Sequence, residues 1–268
     1  MADDEGYLLD NRRTEAGARF TALAALFDPS TLRHLTARGL APGWRCWEVG
    51  AGGRSVPDEL AGAVGAGGLV LATDIDTSWL EDPEPRAPLR VLRHDVGVEE
   101  PPADDLDLVH ARLVLTHVPR RDAALAAMAG ALRPGGWLVV EEADPGLQPL
   151  LCPDEYGPEQ ELANRLRHGF RTLMAGRGAD LAYGRTLPRR LRAAGLTAVG
   201  ADAYFPITAD AGATLEIATV EHICERLVEG GIATAEEIDT HVRNVADGRV
   251  PDLATSPMIT AWGQRSGW

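Results

Sequence analysis

Lysine is absent from this chain, and all 26 basic residues are arginine. With the abundance of alanine and glycine, this reads as a high-GC coding sequence of bacterial origin, and it carries no information about mechanism. Cysteine is scarce as well. Cys46, Cys152 and Cys224 are odd in number, far apart and without metal-ligand spacing, so neither a disulfide framework nor a metal site is expected. No apolar run reaches the length of a membrane span, and the start, Met1-Ala2-Asp3-Asp4-Glu5, is acidic where a secretion signal would be basic. A cytoplasmic location and no membrane partner are the expectations. Positive charge is in deficit, 26 basic against 40 acidic residues for a net −14, and no basic run is present to neutralise a phosphate backbone. Nucleic acid is therefore excluded as the expected substrate.

What is present is a rhythm of strands and helices. Ala16, Phe20, Leu23, Ala24 and Phe27 recur at helical spacing, and Asp28-Pro29-Ser30 is expected to stop that helix and cap a second one running to Leu40. Strands are predicted at Arg45–Val49, Leu69–Thr73, Leu89–Arg93, Leu106–His110 and Trp137–Glu142, with helices at about Val56–Val64 and Arg120–Leu132 between them. Such alternation argues a parallel sheet covered by helices on both faces, with ligands at the carboxyl ends of the strands. After Asp144 the rhythm breaks at Pro145, Pro149, Pro153 and Pro158. Helices over Glu159–Ala175, Thr214–Glu229 and Thr234–Ala246 are read as a substrate-side lid, and Leu187–Ala194 as a helix leading to strands Thr197–Ile207 and Met258–Trp262. One domain over residues 1–268 is expected, with amino-terminal helices at 7–40 and insertions at 146–180 and 209–249.

The most informative segment is Trp47-Glu48-Val49-Gly50-Ala51-Gly52-Gly53-Arg54-Ser55, followed by Val70-Leu71-Ala72-Thr73-Asp74-Ile75-Asp76. It reads as strand, glycine turn, helix, strand, acid. Gly50 and Gly52 remove side chains where the backbone turns and a ligand approaches, and Asp74 falls where ribose hydroxyls need an acceptor. A dinucleotide is a poor fit, because Ser55 stands where its fingerprint wants a third glycine or alanine and Glu48 would repel a pyrophosphate. An amino group suits Glu48 better.

These residues resemble the S-adenosylmethionine-dependent methyltransferases of the Rossmann-like type, well over residues 1–145 and loosely beyond. Glu48-x-Gly50-x-Gly52 matches the first motif, Asp74 the acid of the second strand, His94-Asp95-Val96 the adenine-binding segment, and Leu132-Arg133-Pro134-Gly135-Gly136-Trp137 the approach to the fifth strand. Arg54 departs from the family, which has glycine there. The resemblance implies a doubly wound α/β fold with a seven-stranded, mostly parallel sheet whose last strand is antiparallel. It further implies S-adenosylmethionine as cofactor and methyl transfer to a small molecule, most simply O-methylation in bacterial biosynthesis. N- or C-methylation, a non-methylating pericyclic or cyclising enzyme that keeps the pocket, and an NAD-binding oxidoreductase are the alternatives. Homodimer or monomer is left open.

In that frame Asp74, with Asp76 beside it, accepts hydrogen bonds from the ribose and Asp95 one from the adenine amino group. Ala51, Ile75, Val96, His110 and Ala111 line the pocket by backbone or edge contacts. Glu48, at the end of an apolar strand, requires a cationic partner, and the methionine ammonium is the expected one. Arg19 is a candidate for the cofactor carboxylate and Tyr7 a cover over the sulfonium. A hydroxyl acceptor calls for a base, and His117, following the fourth strand, is the candidate, with His168 and His222 as more distant ones.

Overall fold

The computed structural model describes residue 8 and residues 15–81, 87–208 and 210–267. Its strands are β1 (Arg45–Val49), β2 (Leu69–Asp74), β3 (Leu89–Arg93), β4 (Leu106–Arg112), β5 (Leu132–Ala143), β6 (Thr197–Tyr204), β7 (Ile207–Thr208), β8 (Leu253–Ala254) and β9 (Met258–Gln264). Seven of them form one sheet in the order β3-β2-β1-β4-β5-β9-β6, while β7 and β8 pair only with each other. Neighbours from β3 to β5 run parallel, and β9 is antiparallel to both β5 and β6. This is the doubly wound sheet with an antiparallel last strand that the motifs imply.

The helices are α1 (Glu15–Ala37), α2 (Ser55–Val64), α3 (Arg121–Gly130), α4 (Pro158–Gly176), α5 (Tyr183–Ala193), α6 (Asp210–Glu229) and α7 (Ala235–Ala246). The chain divides into two compact units. One, the sheet unit, comprises Phe27–Ala143, Tyr183–Tyr204 and Met258–Trp268; the other comprises Met1–Leu26, Asp144–Ala182 and Phe205–Pro257, which takes in the segments 146–180 and 209–249 read from the sequence as insertions.

In the sheet unit the strands are buried on both faces, so apolar residues run nearly without interruption along them. Cys46, Val70, Leu108 and Val139 face one core with Leu35, Val56 and Leu60. Trp47, Leu71, Val109, Leu138 and Val140 face the other with Ala124, Leu125, Met128, Leu187 and Leu191. The first face changes character along the strands. Two residues on from Cys46, Leu108 and Val139 stand Glu48, His110 and Glu141, on the same face by the period of a strand. The register places Glu48 beside His110 and Glu141 beside Thr260. That face is thus apolar at the amino ends of the parallel strands and ionisable at their carboxyl ends, where such sheets bind ligands.

In the helical unit α4, α6 and α7 close on Leu166, Val220, Ile223, Leu227 and Ile238. Helix α7 starts at a full capping box, in which Glu237 N–H donates to Thr234 Oγ1 and Thr234 N–H donates to Glu237 Oε2. Glu216, buried between these helices, accepts from His241 Nε2 at 3.0 Å and from Arg167 at 3.2 Å.

Three local expectations differ from what is found. Asp28-Pro29-Ser30 does not separate two helices: α1 runs through Pro29 to Ala37. An interior proline removes one helical hydrogen bond, but Asp28 has no need to cap, because its carboxylate and the Thr31 hydroxyl both accept from Arg112 Nη1, at 2.8 and 3.0 Å. Tertiary partners outweigh the local stop signal. The fifth strand begins at Leu132 rather than Trp137, the Pro134-Gly135-Gly136 turn being absorbed as an irregularity opposite Leu106 and Leu108. The strand from Thr197 ends at Tyr204, and Ile207–Thr208 pairs with β8 instead.

Candidate cofactor site and active site

The glycine turn after β1 needs glycine at two positions. Gly50 and Gly52 have φ of 60° and 62°, in the left-handed region, and a Cβ on Gly50 would stand 2.4 Å from Val114 Cγ2. The turn is tied to β2 by Ala51 N–H donating to Thr73 O at 2.9 Å and Gly52 N–H donating to Asp74 Oδ2 at 2.8 Å. Asp74 Oδ1 accepts from Asp76 N–H at 3.0 Å. Burial raises the Asp74 carboxyl above the ordinary carboxylate range, and the backbone donors at Asp76 and Gly52 oppose that shift. Backbone donors from Gly52, Ile75 and Asp76 thus converge on this carboxylate, whose two oxygens offer about four acceptor sites in all. Behind it the buried Trp47 indole N–H donates to Thr73 Oγ1 at 2.9 Å, which fixes the end of β2 from the opposite face.

The neighbouring candidates gather at the same strand ends. His94 N–H donates to Asp74 O, which places Asp95 and Val96 directly beyond. Asp95 Oδ1 accepts from Gly97 N–H at 2.8 Å, so this acid also shapes its own turn. Asp76 does the same through Ser78 N–H. Ile75 is 57% exposed, unusual for an isoleucine following a buried strand, whereas Val96 and Ala111 are buried. Arg54 stands at the start of α2. Its backbone is right-handed, at φ −85° and ψ −12°, and its guanidinium forms a two-point pair with Asp58 one helical turn on, at 2.7 and 3.1 Å.

Glu48 and His110 meet each other across β1 and β4. The partner Glu48 requires is supplied by the protein: His110 Nδ1 lies 2.6 Å from Glu48 Oε2, and both side chains are buried. His110 Nε2 lies 3.4 Å from Glu141 Oε2, which also accepts from Thr31 Oγ1, while Glu141 Oε1 accepts from Thr260 Oγ1 at 2.6 Å. Burial alone would lower the His110 pKa, but two flanking carboxylates raise it to about 9. Burial likewise disfavours ionised Glu141, yet the hydrogen bond and charge of His110, with Arg112 nearby, bring it down to about 2. With a carboxylate oxygen facing each ring nitrogen, the surroundings favour the protonated imidazole.

A second buried carboxylate escaped the sequence reading. Glu142 Oε1 accepts from the backbone N–H groups of Val114, Leu115 and Thr116, and its Oε2 from the Thr116 hydroxyl at 2.8 Å. Burial pushes this carboxyl up to about 7 against the pull of those donors. It clamps the single 3₁₀ turn Leu115–His117 that follows Leu113, a non-glycine residue at φ 60°. A left-handed leucine costs about 1 kcal/mol and persists only where surrounding contacts over-determine it. His117 sits half-buried on that clamped turn, whose Val114 packs against Gly50. The signal in the sequence was an acidic pair, Glu141-Glu142, ending an apolar strand, where burial demands partners.

The remaining candidates lie in the other unit or outside the described residues. Tyr7 lies outside the described residues. Arg19, His168 and His222 belong to the helical unit: Arg19 is buried with its guanidinium 5.6 Å from the Phe20 ring, His222 is buried on α6, and His168 is exposed on α4. Among the described residues no cluster of His, Cys, Asp and Glu is arranged to hold a metal, and no helix is long and apolar enough to cross a membrane.

The family model for a methyltransferase domain matches residues 11–201. The chain belongs to this methyltransferase family. A curated relative, Methyltransferase str2 of Strobilurus tenacellus, is 32% identical over 103 residues, which cover 36% of this methyltransferase and 34% of that protein. The chain therefore spans about a third of the length of that relative. Among solved structures, phosphoethanolamine N-methyltransferase 2 of Haemonchus contortus, in complex with phosphomonomethylethanolamine and S-adenosylhomocysteine, superposes with a TM-score of 0.58 at 15% identity, over 98% of this chain and 60% of that one. A chain from the complex between the Haloferax volcanii Trm112 methyltransferase activator and a methyltransferase gives 0.57 at 15% identity, over 97% and 98%. At such identities the likeness is one of fold, the Rossmann-like fold of S-adenosylmethionine-dependent methyltransferases.

Proposed function

We propose that this chain transfers the methyl group of S-adenosylmethionine to the oxygen of a small molecule in a biosynthetic pathway. The observation that carries the reading is the turn at Gly50–Gly52 held against Asp74, with a buried carboxylate, Glu48, two residues before it. Three features support an adenosine bearing an amino-acid tail. The turn has no side chain at Gly50 or Gly52, so a ligand can approach the backbone. Asp74 retains acceptor capacity for ribose hydroxyls. Glu48 Oε1 has no hydrogen-bond partner among the described residues, while Oε2 is taken by His110. Asp95 and Val96 would hold the adenine with Ile75, and Ala51 and Ala111 would line the tail.

When bound, the sulfonium cofactor supplies an electrophilic methyl group, so the protein's task is position and exclusion of water. Glu48 and Asp74 anchor the two ends of the ligand. His117, on the clamped turn after β4, is the base that would take the acceptor's hydroxyl proton as the oxygen attacks. The net charge of −14 favours a small, non-polyanionic acceptor.

The test is calorimetry with S-adenosylmethionine and S-adenosylhomocysteine, then isotope transfer from labelled cofactor to panels of phenols, alcohols and amines. Binding with transfer to hydroxyls is the expected result. Binding with transfer only to nitrogen or carbon overturns the O-methylation reading, binding without any transfer favours a non-methylating enzyme, and binding of NAD alone overturns the assignment.

A further inference from the structure

Five ionisable side chains meet at the carboxyl ends of β1, β4 and β5 and the adjoining turn of α1; Glu48, His110 and Glu141 are buried, and Asp28 and Arg112 are half-buried. Asp28 pairs with Arg112 at 2.8 Å, His110 bridges Glu48 and Glu141, and Thr31 joins the two groups by contacting both Arg112 and Glu141. A purely structural network of this kind gains most when its charges cancel, since an unbalanced buried charge costs several kcal/mol. Within this group three carboxyl groups, of Asp28, Glu48 and Glu141, outnumber two basic side chains, Arg112 and His110. Every oxygen of Glu141 is engaged, whereas Glu48 has one oxygen bound and one open. The surplus carboxyl and the open valence coincide on the one member that lies two residues from the glycine turn.

We infer that Glu141 and His110 are positioning residues for the amino group of the cofactor: they hold Glu48 through Oε2 and leave Oε1 to accept an ammonium. This rests on the cofactor reading above and adds to it a chain of support, from Thr31 and Thr260 through Glu141 and His110 to Glu48. The restraint is geometric. Glu48 has three side-chain torsions, and a single strong contact at 2.6 Å selects among them before the ligand arrives, so the ordering cost is met on folding rather than on binding. An ammonium completes the charge balance of the group.

The test uses the full chain and two ligands that differ at one group: S-adenosylhomocysteine and its deaminated analogue, in which hydrogen replaces the amino group. The wild type is expected to prefer the amine-bearing ligand by about 10-fold or more. His110→Gln places its amide near the Nε2 position and loses the donor to Glu48; it is expected to abolish most of that preference while its affinity for the deaminated analogue stays within about 2-fold. His110→Asn, whose amide nitrogen replaces Nδ1, is expected to restore at least half of the preference on a logarithmic scale. Glu141→Gln gives the same readout at the far end, with a smaller loss, and serves if His110→Gln does not fold. Equal weakening of both ligands in the variants, or an unchanged ratio, overturns the inference. A wild type that binds neither ligand overturns the cofactor reading instead, so the two failures are distinguishable.

Discussion

The imidazolium at the centre of the sheet makes stability depend on pH in a stated direction. His110 titrates at about 9 in the folded chain against an ordinary 6.5, because Glu48 and Glu141 outweigh the cost of burial. A group whose folded pKa is raised binds its proton more tightly when folded, so its contribution is fully present below pH 6.5 and is lost as pH rises through about 9. At about 1.4 kcal/mol per pKa unit the contribution is about 3 kcal/mol, a large share of a typical domain's stability. The assay is urea unfolding at intervals from pH 6 to 10, followed by tryptophan fluorescence, which reports the sheet unit because every tryptophan among the described residues, Trp44, Trp47, Trp79, Trp137 and Trp262, belongs to it. Wild type should lose about 3 kcal/mol more than His110→Asn across that window. Glu141 works at the other end: depressed to about 2 from 4.5, it contributes stability above pH 4.5 that is lost as pH falls through 2. Parallel curves for wild type and His110→Asn between pH 6.5 and 9 would refute the buried imidazolium and the charge count built on it.

Three substitutions probe the rest of the site. Gly50→Ala sets a Cβ 2.4 Å from Val114 Cγ2 in a left-handed conformation, and should cost about 1–3 kcal/mol in stability together with cofactor affinity; a variant with wild-type unfolding and binding would show that the turn relaxes freely. Asp74→Ala removes both the ribose acceptor and the anchor of Gly52, and titration calorimetry should show affinity weaker by about 1–3 kcal/mol in a folded protein, an unchanged Kd marking Asp74 as a turn residue only. His117→Ala should lower turnover by about 10²–10⁴-fold with cofactor Kd nearly intact, whereas near-wild-type turnover in steady-state kinetics would exclude the base.

How much was legible can be argued from particular residues. Gly50 and Asp74 were readable because their demands are local: a positive φ and a strand-end acid at fixed spacing are properties of a short segment. Arg54 is visible in the sequence as a departure from the family, but which way its side chain turns is set by Asp58 four residues on. Asp28-Pro29-Ser30 misled for the opposite reason, since a locally sound stop signal was overridden by Arg112, 84 positions away. His110 could be placed on the fourth strand from the sequence, yet the role of its ring was invisible, because Glu141 comes 31 residues later and reaches it only through strand pairing.

What the sequence determined by itself is the order of strands and helices, the glycine turn, the acids at strand ends and hence the family, because those follow from periodicity and short-range spacing. Only the tertiary structure decided how the buried charges are shared. Glu48, His110, Glu141, Thr31, Arg112 and Thr260 come from four strands and a helix, and each is satisfied by a residue distant in the chain. Desolvation makes every such group depend on all its neighbours at once, so protonation, orientation and the open oxygen of Glu48 are properties of the assembled face and of no single segment.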